Sequence, residues 1–516
     1  MCIRDRIFYE NRGRRRVIES ESETIILEDV ERVKVYRANV IWDDRWFHLD
    51  GFYRTGHFHW QYEGDFFGLY RDAFYGENID IYNGMAPIGV EISGKKSLKG
   101  LKLAFGPQLW WGANPSILLK YRRRVGPIDA TGIFQEDLMS QTSVSSSVAI
   151  PVPPTRKATL QLSTSWMGFG IEGGGIWSGS TKVGETFQAV EEVAGDYRLL
   201  EGEIEDQDAF GAKGRVTYEH GRWHWYAQGA YMGLVADGGP TSTVTYTGWH
   251  LKDSGSGNQS NFLTGLAVNV GRFQIGPNFL WQKPIYGPLP QDELGRWQPR
   301  NVLDDPFAVL WNREMVAAEL LLTYDRTPAS WMWAWDNDMR ENATLAWSLG
   351  FIFRHLPTTK DASIFIAEDG RTTYPFPGGT PPRDLWEMHG RVISRIGPGA
   401  RLVAHLYGGE GEPNGEDQRV INRFGADARL IWDTISFSAA AKFNDWGPYD
   451  YHRDFNLTYP VQLIGDISYN LGTPRWFDFP QTKMGIRASW RSLDEHSPRY
   501  CPGLVPDAFG LSLIHI

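Results

Sequence analysis

The chain has 516 residues, a formal net charge of −10 and an aromatic content of 14%. Because phosphate binding needs a basic surface, the negative charge argues against a nucleic-acid partner. No apolar run approaches the roughly 18 residues of a membrane helix, so a helical membrane protein is excluded. Membrane-crossing strands are not excluded, since alternation hides their apolar face from averaged hydropathy.

The two ends of the sequence differ in character from the rest. Residues 1–6 (MCIRDR) and 511–516 (LSLIHI) look like translated sequencing-adapter read-through, of the kind that flanks reading frames from metagenomic DNA. We expect both to be artefacts and both natural termini to be missing. Residues 7–32 carry a basic run followed by an acidic one, and we expect a linker or the tail of an upstream domain.

From residue 33 onward, alternation with period 2 predicts β-strands. In residues 261–283, two alternating strands meet at Gly271. Each has one apolar face with aromatics at its ends and one face of small and polar residues. The pattern is clearest in 343–354, where Trp347, Leu349 and Phe351 alternate with small residues. We expect the outside of these strands to meet lipid and the inside to meet water.

Connections alternate between minimal turns and long loops. Short periplasmic turns and long extracellular loops are typical of bacterial outer-membrane barrels. The predicted turns lie at residues 43–44, 97–100, 126–127, 153–155, 220–221, 271, 326–328, 397–399 and 433, and the predicted loops at 61–84, 179–205, 237–258, 284–312, 409–418 and 445–458.

With aromatic girdles such as Trp281 and Trp490, these features make the chain resemble Gram-negative outer-membrane β-barrels of the porin and channel type. The resemblance implies an all-β fold, with residues 33–510 forming a large antiparallel transmembrane β-barrel of about 18–22 strands. It also implies a bacterial outer-membrane location. Strand parity leaves the segment 481–491 without a closing strand, so we expect the barrel to be truncated.

Cations on the face opposite the apolar side are candidate pore-lining residues. Lys120, Arg122 and Arg124 alternate with Leu119 and Tyr121, so they face the inside if the apolar residues meet lipid. Rings of charge in a pore set solute preference. The alternative is that the arginines pair internally with carboxylates. The candidate set is Lys120, Arg122, Arg124, Arg354, Arg487 and Arg491.

The predicted loop 61–84 interleaves aromatic residues with carboxylates, and 445–458 has the same character. Aromatic faces stack on sugar rings while carboxylates accept hydrogen bonds from hydroxyl groups, which favours a carbohydrate surface. The alternative is that loop 61–84 folds inward as a constriction and packs its own aromatics. The candidate sugar-contacting residues are Tyr62, Phe66, Tyr70, Tyr75, Tyr82, Trp446 and Tyr449.

The sequence contains no nucleophile elbow, zinc-binding helix, phosphate loop or Cys-x-x-Cys pair, so we expect no enzymatic activity, no cofactor and no metal. It favours an outer-membrane channel for small hydrophilic solutes, with sugars as a candidate class. Two alternatives stay open: a surface carbohydrate-binding barrel, and the barrel of a TonB-dependent transporter with its plug upstream. The expected partners are outer-membrane lipid and a small hydrophilic solute or glycan, and the sequence leaves the oligomeric state open.

Overall fold

A computed structural model of the chain describes twenty-two segments, and the statements below concern these residues only. They are residues 2–9, 15–19, 24–28, 33–53, 57–58, 64–69, 74–75, 88–106, 116–138, 156–179, 182–193, 196–238, 251, 257–286, 314–325, 343–357, 364–366, 373–375, 382–411, 420–445, 460–472 and 482–492.

The described residues form 29 strands and two short 3-10 helices, Lys96–Leu98 and Asp206–Ala209. None of these helices has the length and apolar character to cross a membrane. The strands are β1 Cys2–Tyr9, β2 Arg15–Glu19, β3 Thr24–Glu28, β4 Val33–Asp43, β5 Phe47–Tyr53, β6 His57–Phe58, β7 Phe74–Tyr75, β8 Ile88–Gly94, β9 Leu101–Gly106, β10 Ser116–Val125, β11 Ile128–Asp137, β12 Arg156–Trp166, β13 Phe169–Trp177, β14 Thr186–Val193, β15 Asp196–Glu203, β16 Phe210–His220, β17 Trp223–Met232, β18 Gln259–Val270, β19 Phe273–Lys283, β20 Met315–Asp325, β21 Leu345–Leu356, β22 Ile364–Ile366, β23 Thr373–Pro375, β24 Arg383–Gly397, β25 Ala400–Gly411, β26 Ile421–Trp432, β27 Ile435–Asn444, β28 Val461–Gly472 and β29 Thr482–Arg491.

One sheet of 21 strands contains most of these elements, and the others form the hairpins β2–β3, β6–β7, β14–β15 and β22–β23. Every pairing with a recorded register is antiparallel, including the predicted hairpin β18–β19. The four small hairpins lie in connections between strands of the large sheet. The fold class expected from the sequence, a large antiparallel β-barrel of outer-membrane type, is confirmed.

The chain divides into two compact units. The first comprises residues 1–164, 173–183 and 238–242, and its sheet strands β1, β4, β5, β8, β9, β10, β11 and β12 pair in that order. The second comprises residues 165–172, 184–237 and 243–516. In it, β16–β21 and then β24–β29 pair successively.

The segment before residue 33 contains strands as well. Cys2–Tyr9, which overlaps the expected artefact, pairs with β4 from Ile41 back to Val33. The expected linker contains the hairpin β2–β3. The assignment of residues 1–6 and 511–516 as artefacts, and of 7–32 as a linker or tail, remains a prediction.

Most predicted tight turns in the described ranges are present, but one turn was not predicted. Met167-Gly168 joins β12 to β13, and both residues have positive φ (48° and 84°). A two-residue hairpin turn of this kind favours Asn-Gly or Asp-Gly, so a Met at its first position gives a weak sequence signal. The predicted turns 153–155 and 326–328 lie outside the described residues.

Exposure along the strands is reversed relative to a water-soluble sheet. On β21, Leu349, Phe351 and Phe353 are 41–45% exposed, whereas Ser348 and Arg354 are each 5% exposed. The outward projection predicted for these apolar side chains is confirmed. We call this apolar side the outer face and the opposite side the inner face. Other outer-face side chains that are more than a third exposed include Phe262, Phe273, Ile275, Phe279, Leu320, Phe424, Phe437, Phe443, Leu463 and Ile467.

Candidate functional site

Residues 64–69, which we call the inner segment, form a self-bonded turn within the first unit. The Asp65 carboxylate accepts a hydrogen bond from the Leu69 N–H (2.8 Å). Its backbone carbonyl accepts one from the Gly68 N–H (3.2 Å). Every residue of the segment is buried. The buried backbone is therefore stabilised locally, in the manner of an Asx turn.

The inner segment packs on the inner faces of β11 and β13. Gly64 lies so close to Thr131 that a Cβ at position 64 would overlap the threonine side chain. On β13, a Cβ at Gly174 would stand 3.2 Å from both the Phe66 and the Phe67 ring. These rings meet edge to face with centroids 5.7 Å apart. Glycine at positions 64 and 174 therefore makes room for the segment on the wall.

Buried uncharged polar groups lie on β11 and at the end of β13, the two strands on which the inner segment packs. Thr131, Gln135 and Ser178 are buried. The hydroxyl oxygens of Thr131 and Ser178 and both amide atoms of Gln135 have no hydrogen-bond partner among the described residues. Gln135 stands opposite Lys157 of β12, and Thr131 opposite Gln161. Leaving such a group unpaired costs about 1–3 kcal/mol. A hydrogen-bonding solute that reached them would relieve this cost.

The three candidate pore-lining cations of β10 differ in their surroundings. Lys120 is buried on the inner face. The Arg122 guanidinium lies 3.7 Å from the Asp129 carboxylate, an exposed and therefore weak ion pair. The Nε of Arg124 donates to the Gly126 carbonyl (3.3 Å) in the turn that follows β10. Internal pairing, the alternative considered from the sequence, therefore describes Arg122.

Arg354 lies in a buried charge network of the second unit. Its guanidinium is 3.0 Å from the Glu387 carboxylate, and His389 Nε2 is 3.8 Å from the same carboxylate oxygen. The buried Arg215 forms a second ion pair, with the half-buried Glu172. Glu387 and His389 were not predicted as site residues, although alternation along β24 puts both on its inner face.

An aromatic side chain that the sequence did not indicate lies on the inner face of β25. The Tyr407 ring covers Gly425 of β26, where a Cβ would overlap the ring. Lys442 Nζ is 6.0 Å from the ring centroid, at the limit of a cation–π contact. The His389 ring centroid lies 6.4 Å away. Tyr407 therefore joins the Arg354 network to β27.

The last two pore-lining candidates lie on β29. Arg487 stands opposite Asp466 of β28, and Arg491 opposite Gln462. Both arginines are exposed. The cross-strand register therefore places Arg487 next to an opposite charge, as the mixed charges of the sequence suggested.

Among the candidate sugar-contacting residues, Phe66 belongs to the inner segment and is 1% exposed. The burial of Phe66 agrees with the alternative in which loop 61–84 folds inward as a constriction, because an external sugar cannot stack on a covered ring. Tyr75 lies in β7, whose backbone pairs with His57. Outside the described residues lie Tyr62, Tyr70, Tyr82, Trp446 and Tyr449.

An apolar cluster covers part of the inner face of the second unit. Leu263, Leu280 and Ala317 stand side by side across three strands. Leu251, from the predicted loop 237–258, is buried in the same cluster. This loop therefore contributes a side chain to the inner face. The full cluster is Tyr226, Leu251, Leu263, Leu280, Met315, Ala317, Ile352, Leu356 and Leu385.

Two long connections are joined at the end of β19. The Asn258 side-chain amide donates to the Tyr286 carbonyl and accepts from the Tyr286 N–H, both at 2.7 Å. Burial and a hydrogen bond with the Asp208 carboxylate raise the pKa of the Tyr286 phenol above its usual value of 10.0. The neutral phenol is therefore the form that fits this site.

Two histidines of the described strands each lie against one carboxylate. His355 Nδ1 is 2.7 Å from Asp384, and His405 Nδ1 is 3.0 Å from Asp427. The described segments bring no three His, Cys, Asp or Glu side chains together as a metal site.

The exposure pattern defines the class of protein. The sheet has an apolar outer face and a polar, charged inner face. Such a sheet is stable only with lipid on the outside, because in water the apolar side chains of the outer face would be exposed to solvent. The chain has the fold of an outer-membrane β-barrel.

No protein-family model and no curated protein matches the sequence. Solved structures similar to this chain include Pseudomonas aeruginosa OccK10 (9% identity, 86% of this chain and 95% of that chain, TM-score 0.32). Others are Acinetobacter baumannii OccAB2 (11%, 88% and 90%, 0.31) and the copper transporter OprC (9%, 87% and 71%, 0.40).

Proposed function

We propose that the chain is an outer-membrane channel for small hydrophilic solutes, narrowed by the inner segment and suited to neutral, hydroxyl-rich solutes such as sugars. The observation that carries this proposal is the burial of residues 64–69 on the inner face of β11 and β13. A chain segment held there occupies cross-section that a solute would otherwise use. It therefore restricts what can pass.

The chemistry of the wall supports neutral solutes. The Gln135 amide offers a donor and an acceptor, and the hydroxyl groups of Thr131 and Ser178 offer both. Sugar hydroxyls both donate and accept, so they complement such groups without a charge. In the second unit, Arg354 lies against Glu387. Because this pair is close to neutral overall, it favours neither anions nor cations.

Burial on the inner face also supports a second function, a surface carbohydrate-binding barrel that does not conduct. The cluster around Leu251 and the packed rings of Phe66 and Phe67 fill space inside the strands. The candidate aromatics of 61–84 and 445–458 would then capture glycans outside. The two functions differ in one measurable property, which is ion conductance.

Planar-bilayer recording of the refolded chain tests the proposal. We expect discrete conductance steps, and larger steps after residues 64–69 are replaced by a Gly-Ser linker of equal length. Liposome swelling should then admit larger sugars as well. The matched control replaces residues 186–193, a strand of the β14–β15 hairpin outside the large sheet, and should leave both readouts unchanged. No conductance in any variant, with glycan binding retained, would favour the binding barrel instead.

A further inference from the structure

Three chain segments lie side by side at the tight-turn end of the first unit. The Lys95 N–H donates to the Trp46 carbonyl (2.6 Å), which joins turn 44–46 to turn 95–100. The Arg122 N–H donates to the Gly100 carbonyl (2.9 Å), which joins the second turn to the end of β10. Side chains from all three segments therefore share one surface, which we call the basic turn surface.

Cations outnumber carboxylates on this surface. The local carboxylates are engaged: Asp43 with Lys95, Asp129 with Arg122, and Asp44 with the Trp46 N–H (2.9 Å). Four further cations are exposed and form no ion pair among the described residues. These turn-end cations are Arg45, Lys96, Lys99 and Arg123.

Apolar side chains are interleaved with the turn-end cations. The Arg45 guanidinium lies 5.1 Å, and Lys96 Nζ 5.9 Å, from the centre of the Trp46 ring. Leu98, between two lysines, is exposed, as is Val125 at the end of β10. Exposed tryptophan beside cations is typical of the boundary between hydrocarbon and lipid headgroups.

We propose that the basic turn surface binds the headgroups of anionic phospholipids such as phosphatidylglycerol. The turn-end cations would bind the phosphate, and Trp46 and Leu98 the adjoining acyl chains. An acidic protein or a peptidoglycan stem peptide would match the charge but not the exposed apolar side chains. Arg123 also follows Leu119 and Tyr121 on the same outer face of β10, so the surface is continuous with the lipid-facing side.

Native mass spectrometry of the full chain, released from nanodiscs of phosphatidylcholine and phosphatidylglycerol, tests this proposal. We expect the Arg45→Gln, Lys96→Gln, Lys99→Gln triple variant to retain about tenfold less phosphatidylglycerol than the parent, since each basic residue adds to the attraction of an anionic surface. The control carries the same charge change at turns of the second unit: Arg272→Gln, Arg395→Gln, Arg401→Gln. It should retain phosphatidylglycerol as the parent does.

A charge-preserving variant, Arg45→Lys, Lys96→Arg, Lys99→Arg, should bind like the parent and shows whether the surface tolerates substitution. Unchanged retention in the glutamine variant, or equal loss in the control, would overturn the proposal. Retention that millimolar inorganic phosphate abolishes would assign the site to a free anion. Preferential capture of a muropeptide carrying an acidic stem would assign it to the cell wall.

Discussion

Arg354 of β21 and Glu387 of β24 form a buried ion pair, with 3.0 Å between guanidinium and carboxylate and side chains 6% and 0% exposed. The register sets them diagonally, because Arg354 stands opposite Leu385 and Ile352 opposite Glu387. Diagonal neighbours are within reach of long side chains. The strand pairing therefore brings together two charges that alternation alone does not connect.

Removing one member of this pair should destabilise the fold. Glu387→Gln takes away the carboxylate that faces the buried guanidinium, and breaking such a pair costs about 3–5 kcal/mol. Urea unfolding in detergent or vesicles measures the change. The double variant Arg354→Met, Glu387→Leu should recover most of the loss. A double variant as unstable as the single one would show that packing, and not charge, is what these positions provide.

Alternation gave the strands and their outer faces because lipid imposes the same demand on every strand. In β21, a strand of 12 residues, Leu349, Phe351 and Phe353 provide the apolar side chains that lipid requires. The sequence could not decide between two interpretations of the inner segment, and the reason is physical. Aromatics mixed with carboxylates suit a sugar surface and a packed constriction equally, and only the contacts of Gly64 with Thr131 and of Phe66 with Gly174 favour the second.

Site residues were harder to predict than strands because partnership depends on register. Lys120 and Arg354 were correctly placed on inner faces by alternation. The partners of Arg354 could not be predicted, because a long connection separates Glu387 from it in the sequence. The register in which the two strands pair cannot be read from that connection. The role of Gly425 beneath Tyr407 has no sequence signal, since glycine is common throughout the chain.

A charge on the outer face should impair insertion, whereas one on the inner face should not. Ile467, midway along β28 and 43% exposed, should not tolerate arginine, since such a charge near the bilayer midplane costs about 2–4 kcal/mol. Its neighbour Ser468 is on the inner face and partly exposed, so Ser468→Arg is the control. The heat-modifiable gel shift after refolding into vesicles measures both.

Leu349→Arg should behave like Ile467→Arg. Ser348, the inner neighbour suggested by the sequence, is a poorer control because only 5% of it is exposed and an arginine there would overpack. Equal refolding of Ile467→Arg and Ser468→Arg would contradict the assignment of the two faces.

Tyr286 should make the junction with Asn258 sensitive to alkaline pH. Burial and Asp208 raise the pKa of the Tyr286 phenol in the folded state. The stability that the neutral phenol contributes is therefore complete below the unfolded pKa of 10.0 and is lost as pH rises through the higher folded pKa. Limited proteolysis between about pH 8 and 11 should show increasing cleavage near residue 286. Tyr286→Phe should remove this dependence.

The effect of Asp208 has a definite sign. Its carboxylate raises the Tyr286 pKa, so Asp208→Asn should shift the onset of cleavage to lower pH. An onset that moves upward would contradict the contact, and an onset unchanged in both variants would assign the alkaline transition to another group.

Arg122 and Arg124 should contribute to charge selectivity if solutes pass near β10. Replacing both with glutamine should shift the reversal potential toward cation preference with little effect on folding. Screening limits their influence to roughly 8 Å at physiological salt. Because Arg122 lies 3.7 Å from Asp129, Arg124→Gln alone should give the larger share of the shift. A reversal potential unchanged in the double variant would remove both from the selectivity residues.

Gly64 gives the sharpest test of the inner segment, because two effects of a side chain there can be separated. Gly64 has φ +79°, so Gly64→Ala introduces backbone strain and also forces a Cβ into Thr131. Gly184 has φ +88° and no atom of the described residues lies within 4 Å of its Cβ position, so Gly184→Ala introduces the strain alone. A left-handed conformation costs a residue with a Cβ about 1–2 kcal/mol, and both variants share this cost.

Only Gly64→Ala should displace residues 64–69 and increase single-channel conductance. Gly64→Ala combined with Thr131→Gly should restore the conductance of the parent. Equal conductance in the two alanine variants would show that the packing of Gly64 on Thr131 does not set the width of the channel.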